Sequence, residues 1–284
     1  MERKGLILEG GAMRGLFTAG VIDEMMEQGV RYDGCIGVSA GAAFGCNYKS
    51  HQIGRVLRYN KRFAHEKKYC SWYSWLTTGD LYGADFCYHK LPDELDIMDV
   101  KTYNSDPMHF YVTATDTATG KAVYHELDHL DDEAYEWMRA SASMPVVSRP
   151  VRLMGRSLLD GGISDSIPVK FFESIGYTRN AAVLTQPRGY RKGAQSGMKI
   201  LARLLKQYPA IVKDLKERHI VYNRELDYID QREKEGKLFV IAPPHELKIG
   251  RTEHDTERMD EVYQIGRQTM KEHISELNQF LNRD

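Results

Sequence analysis

Ser39 stands between two glycines in Gly37-Val38-Ser39-Ala40-Gly41, behind the apolar residues Cys35, Ile36 and Val38 and ahead of a small-residue stretch from Ala42 to Cys46. A serine at a strand-to-helix junction of this kind reads as a nucleophile on a sharp turn. The glycines let the backbone bend and approach its neighbours closely, and the bend lifts the hydroxyl above the sheet. Such a hydroxyl attacks an ester carbonyl when a base takes its proton and N–H donors hold the oxyanion that forms.

Candidates for both helpers lie elsewhere in the chain. Gly5-Leu6-Ile7-Leu8 reads as a buried strand running into Glu9-Gly10-Gly11-Ala12-Met13-Arg14-Gly15, after which Leu16, Phe17, Ala19, Val21, Met25 and Met26 keep helical spacing. A glycine-rich turn between strand and helix exposes amide N–H groups at the helix's positive end, an anion site. Gly10 and Gly11, with Ala12 beside them, are the oxyanion candidates. The same turn admits two other readings, a dinucleotide fingerprint and a plain tight turn. The fingerprint lacks its third glycine, where Ala12 stands, although Asp33 lies at about the right distance for a ribose contact. The candidate base is Asp160 in Ser157-Leu158-Leu159-Asp160-Gly161-Gly162, a strand end with a carboxylate against two glycines. Taken alone, Asp-Gly is a hairpin signal before it is a catalytic one.

Together the three motifs resemble the patatin-like phospholipase family. Its pattern is a glycine-rich loop ending in Arg-Gly, then Gly-x-Ser-x-Gly, then Asp-Gly-Gly or Asp-Gly-Ala. The matching residues here are Arg14 and Gly15, Gly37 and Gly41 around Ser39, and Gly161 and Gly162 after Asp160. The resemblance extends to Thr113-Ala114-Thr115-Asp116, to the Thr119-Gly120 turn, to the run from Arg139 to Pro145 and to Ile167-Pro168-Val169, spanning roughly residues 4 to 185. It implies a serine–aspartate dyad, with Ser39 the nucleophile and Asp160 the general base. It also implies an oxyanion hole at Gly10, Gly11 and Ala12, a lipid or other acyl ester as substrate, and no cofactor or metal. A free carboxylate is a poor base, so partial burial should raise the pKa of Asp160. Ala12 departs from the glycine of many relatives, and its N–H donates only if the backbone angle suits alanine. Arg14 would brace the loop or meet an anionic head group.

Two rivals stand beside this reading. A Ser–His–Asp esterase of the α/β-hydrolase type would draw its base from His245 or His254. Against it, Ser39 falls on the second strand, and the anion loop comes immediately before the elbow. A lipid-binding protein that keeps the fold without turnover is the non-enzymatic alternative.

Positioning these groups falls to a chain in which strand and helix patterns alternate. Strands are predicted near 5–9, 34–38, 108–115, 121–125, 157–160, 181–185 and 237–242. Helices are predicted over 15–28, 40–49, 52–62, 131–142, 168–175, 196–216 and 255–281. Alternation of this kind gives an α/β fold with a mostly parallel central sheet flanked by helices, and the resemblance implies three layers. The turn from Asp116 to Gly120 should join an antiparallel pair. Residues 4–185 form the expected catalytic domain. Residues 186–284 form a helical C-terminal region with one further strand, packed on the same domain.

Composition narrows the rest. The 284 residues, 42% hydrophobic, suffice for one large core, and a net charge of −1 gives no field to attract nucleic acid. Cys35, Cys46, Cys70 and Cys87 lack C-x-x-C spacing and read as free thiols. The ten histidines lack metal-ligand spacing. There is no leader-like start and no apolar run of about 18 residues, so a cytoplasmic protein is expected. Two stretches are candidates for peripheral contact with membrane lipid. Residues 67–89 set Trp72, Tyr73, Trp75 and Leu76 beside Lys67 and Lys68, and residues 188–218 carry nine Lys/Arg against Asp214 and Glu217. For the first, the other reading is a helical or looped flap whose aromatics pack on the core; for the second, it is an ordinary helix packed on the domain with a solvated basic face. Oligomeric state leaves no signature.

Overall fold

The computed structural model describes residues 2–283. One sheet contains β1 (Arg3–Leu8), β2 (Gly34–Val38), β3 (His109–Asp116), β4 (Ala122–Glu126), β5 (Val151–Leu153), β6 (Arg156–Asp160), β7 (Tyr177–Val183) and β8 (Leu238–Ile241). The helices are α1 (Gly15–Glu27), α2 (Ala40–Lys49), α3 (Arg55–Arg62), α4 (Trp72–Thr78), α5 (Val100–Ser105), α6 (Asp132–Ser141), α7 (Val169–Ser174), α8 (Met198–Leu204), α9 (Pro209–Lys234) and α10 (Thr256–Leu281). A wider, π-type coil covers Phe86–Leu95 and contains Pro92.

The central strands β3, β2, β1, β7 and β8 pair in parallel, while β4 and β6 run antiparallel to β3, and β5 antiparallel to β6. Both faces of β1 are covered, which is why it reads as an unbroken apolar run. Leu6 and Leu8 point into a core shared with Phe17 and Met270. Ile7 points the other way, into one shared with Phe172, Tyr222 and Leu238. Helices α1, α2 and α10 therefore build one layer and α7 and α9 the other.

The register on β3 decides where the chemistry can occur. Thr113 pairs with Val38 of β2 and with Tyr124 of β4, so those two strands occupy opposite edges of β3. One residue on, Ala114 pairs with Val123 of β4 and with Asp160 of β6. Strand β6 thus continues along the edge that β2 has just left, running in the opposite direction. The two strands end head to head, Val38 against Asp160, at adjacent positions of β3. Ser39 and Asp160 converge because of this, 121 residues apart in the chain.

The predicted alternation is present, and the differences have local causes. The helix expected over 196–216 is two helices, because Pro209 cannot extend one from its N-terminal side and instead opens α9, which runs on to Lys234. Strand β7 starts earlier than expected, at Tyr177, and stops at Val183. Three short elements, β5, α4 and α5, had no predicted counterpart, being too brief to show a period, and the ten-residue coil at Phe86–Leu95 is wound off the 3.6-residue period and contains Pro92.

The C-terminal helix is locked to the first one. A methyl group on Gly20 would lie 2.1 Å from the Tyr263 carbonyl oxygen, and one on Gly266 would lie 2.1 Å from that of Phe17. Tyr263 and Arg267 of α10 hydrogen-bond to Asp23 and Glu24 of α1 at 2.7 and 2.8 Å. Gly266→Ala would force the backbones of α1 and α10 apart, at a cost of about 1–3 kcal/mol. Urea unfolding checks this; an unchanged midpoint would contradict the close crossing.

Candidate active site

Ser39 turns the chain sharply between β2 and α2. Its φ of +55° and ψ of −122° are unusual for a residue with a side chain. Such a bend leaves no room beside it. A methyl group on Gly37 would lie 2.5 Å from Ala42 Cα, and one on Gly41 2.3 Å from the Leu8 carbonyl oxygen. The Ser39 N–H donates to Ser141 Oγ at 2.9 Å, and Ser141 Oγ donates to the Thr113 carbonyl at 2.7 Å. Ser141 therefore bridges the end of β2 to β3.

The glycine-rich loop lies against this bend. A methyl group on Gly10 would meet Ser39 Cβ at 2.8 Å, and one on Gly11 would meet Thr185 Oγ1 at 2.6 Å. No protein acceptor pairs with the N–H of Gly10 or Gly11 among the described residues. Ala12 adopts φ +50°, left-handed backbone that costs an alanine about 1 kcal/mol. The loop is held from below. Glu9, 3% exposed, accepts hydrogen bonds from Thr185 N–H and Tyr222 OH, both at 2.6 Å, while Thr185 Oγ1 donates to the Gly10 carbonyl at 3.0 Å. Gly15 admits Ala40 and Phe44 of α2, each 2.9 Å from where its methyl group would be.

Asp160 is 1% exposed, and both its main-chain N–H and its carbonyl are hydrogen-bonded. Its N–H donates to the Ser143 carbonyl at 2.8 Å, and its carbonyl accepts from Thr115 Oγ1 at 2.8 Å. Oδ1 accepts from Gly162 N–H at 2.7 Å. Oδ2 is buried and has no partner in hydrogen-bond geometry. The Ser39 hydroxyl nonetheless favours the ionised carboxyl. Burial pushes the carboxyl above its ordinary range, opposed by the Ser39 hydroxyl, the Arg218 charge and the Gly162 N–H. A methyl group on Gly161 would lie 2.2 Å from the Thr113 carbonyl oxygen, so only glycine lets this turn press onto β3.

A cavity of about 390 Å³ opens over these groups, and Gly10, Gly11, Ala12, Arg14, Ser39, Asp160 and Gly162 all line it. It extends along α2 past Ala43 and Phe44 to Cys46. Seven residues of helix make that about 10 Å. Tyr59, Leu91, Met98, Tyr135 and Met138 complete its walls.

The structure thus gathers every residue of the three motifs and leaves the rival candidates outside. His245 is exposed, His254 bonds to the Ala64 carbonyl, and no histidine lines the cavity among the described residues. Asp33 accepts a hydrogen bond from Lys4 N–H at 2.6 Å, on the surface. Sequence reasoning missed Glu9, Ser141, Thr185 and Tyr222 as supports. Ser141 lay within a recognised run, but Tyr222 reaches Glu9 from 213 residues away and nothing local announces it.

A profile of the family described as patatin-like phospholipase matches residues 6–172. The chain belongs to the patatin-like phospholipase family. Residues 208–282 match a second profile, a domain of unknown function (DUF6363). The chain is 27% identical over 296 residues to the uncharacterized protein YjjU of Escherichia coli K12, covering 93% of this chain and 75% of that one. It is 25% identical over 290 residues to lysophospholipase nte1 of Emericella nidulans, covering 96% of this chain but 18% of that protein. The nte1 match in Aspergillus oryzae, 23% identical, has the same coverage. VipD from Legionella pneumophila aligns in structure with a TM-score of 0.48 and 14% identity, over 97% of this chain and 67% of that one. Membership of this family, with lysophospholipases among the relatives, supports a lipid acyl hydrolase.

A buried carboxyl whose pKa is raised in the folded state binds its proton more tightly there than in the unfolded chain. Stability therefore falls as pH rises from the ordinary value of 3.8 through the raised one. Asp160→Asn removes that loss while keeping an acceptor for Gly162 N–H. The variant should unfold at higher urea than wild type at pH 7, with the gap closing towards pH 4. A lower midpoint at pH 7 would contradict the assignment.

Proposed function

We propose that this chain hydrolyses carboxylic esters of lipids through a Ser39–Asp160 dyad, with the N–H groups of Gly10, Gly11 and Ala12 as the oxyanion hole. The head-to-head ending of β2 and β6 carries the reading. Asp160 accepts the hydroxyl proton as Ser39 Oγ attacks the ester carbonyl carbon, and the carbonyl oxygen takes the negative charge beside the loop. Collapse breaks the bond to the leaving alcohol, which receives the proton from Asp160. Water, deprotonated by the same carboxylate, then attacks the acyl carbonyl; the bond to Ser39 Oγ breaks, the fatty acid is released, and Asp160 returns the proton to Ser39 Oγ. The raised Asp160 pKa suits this exchange, since a base nearer neutrality both takes and returns a proton readily. The channel along α2 is apolar enough for the acyl chain.

Contact with a lipid surface belongs to the same proposal. Trp72, Tyr73 and Leu76 on α4 are 68%, 52% and 76% exposed, and Ile200 and Leu204 on α8 are 70% and 59% exposed. Leu201 of α8 lines the cavity, and Trp75 Nε1 of α4 donates at 3.0 Å to the carbonyl of Val146, which stands between the lining residues Pro145 and Val147. No helix among the described residues is long and apolar enough to cross a membrane, so adhesion from one side is the geometry proposed. Four unpaired cysteines favour a reducing, cytoplasmic setting.

Ser39→Ala should lower kcat/KM on a chromogenic acyl ester about 10³-fold or more, and Asp160→Asn about 10²- to 10⁴-fold. Turnover needs ionised Asp160, so it should fall with decreasing pH through a midpoint above 3.8. Trp72→Ala with Leu76→Ser should slow turnover on vesicles more than on a soluble ester. Folded Ser39→Ala with unchanged activity would end the proposal, and binding of acyl chains without any release of fatty acid would favour a non-catalytic lipid binder.

A further inference from the structure

Six basic side chains line the cavity, and they fall into two groups. Arg55 and Arg139 are paired with Asp96 and Glu136. Arg14, Lys192, Arg218 and Arg251 have no carboxylate within ion-pair distance among the described residues. Arg14 Nε is buried without a hydrogen-bond partner. Arg218 Nε donates to the Gly162 carbonyl, which puts its charge beside the Asp160 turn. The Lys192 ammonium lies 4.2 Å from the centre of the Tyr222 ring, and that tyrosine in turn holds Glu9 under the loop.

Little negative charge offsets this group. Both carboxylate oxygens of Glu9 are already engaged, by Thr185 N–H and Tyr222 OH. Asp160 and Glu225 also face Arg218, and burial raises both, with Asp165 adding to the effect on Glu225. Burial and the charges of Arg218, Arg14 and Arg251 bring Lys192 down to about 8, with Glu9 acting the other way. Arg14, Lys192 and Arg218 are half-buried and Arg251 is exposed; cations gathered on one cavity wall without an ion-pair partner mark a place for an anion.

Their position says which part of a substrate the anion belongs to. With an ester carbonyl over Ser39 and its acyl chain along α2, the leaving alcohol points towards Gly162 and Arg218. We propose that Arg14, Lys192, Arg218 and Arg251 bind a phosphate carried by that alcohol, so that acyl esters of glycerol phosphate are preferred over neutral glycerides. The proposal rests on the Ser39–Asp160 reading for its orientation. Three of the four cations lie beyond the part of the chain that matches the phospholipase profile. The C-terminal region, on this account, supplies head-group selection.

Calorimetry on Ser39→Ala protein tests it without turnover, using a lysophosphatidate, a monoacylglycerol with the same chain, and inorganic phosphate. The lysophosphatidate should bind about tenfold tighter than the monoacylglycerol or more, as charge-assisted hydrogen bonds to phosphate would give. That preference should be lost when Lys192→Gln and Arg251→Gln are combined, and kept by Lys192→Arg. Equal affinities, or a preference that survives the double variant, would overturn the proposal. So would inorganic phosphate binding that depends on Lys192 with no preference between the two lipids, which would mean a site for the free ion. Because binding is read without catalysis, a failed dyad and a failed phosphate site give different results: loss of ester turnover by wild type concerns the first alone.

Discussion

One edge of β3 is shared by two strands arriving from opposite directions, and the site depends on that arrangement. Backbone pairing places Val38 and Asp160 at consecutive positions of β3, to a precision that flexible loops could not supply. Ser141 spans the join, receiving the Ser39 N–H and donating to Thr113. Gly161 permits the turn that follows, since any side chain there would collide with the Thr113 carbonyl. A register slip of one residue would turn Asp160 to the opposite face of the sheet and separate the pair.

Around that join the protein maintains features that oppose folding. Ser39 and Ala12 hold positive φ, a carboxyl is buried, and unpaired cations face one cavity. They persist because the neighbouring structure leaves them no alternative. Glu9, itself buried, ties the loop to β7's continuation at Thr185 and to α9 at Tyr222. Helix α10 locks against α1, the helix that follows the loop, through the paired glycines Gly20 and Gly266. The C-terminal helices are thus part of what keeps the loop in place.

Much of this was legible in the sequence. Gly37, Gly41, Gly161 and Gly162 mark positions where a side chain would strike backbone or a neighbouring group, and a glycine required by sterics leaves a trace in the motif. The alternation of apolar strands and helices announced the sheet. Strand β5, three residues long, carries no period to read, and a helix predicted through Pro209 stops before it. Long-range supports were equally hidden. Neither Tyr222 nor Lys192 stands in a local pattern that points at residues 9 to 14, and the basic stretch from 188 to 218 read either as a lipid-contacting helix or as one packed on the domain with a solvated basic face. Folding divides it: Leu205, Ile211 and Leu215 enter a core, while Lys192 and Arg218 turn to the cavity.

The central claim is that a buried carboxyl activates one serine at the junction of β2 and α2. Reaction with a fluorophosphonate probe, followed by peptide mapping of the adduct, measures that activation directly. The account predicts a single adduct on Ser39 that forms readily in wild type and is lost in Asp160→Asn. An adduct on another serine, or labelling of Ser39 at the same rate without the carboxyl, would contradict it.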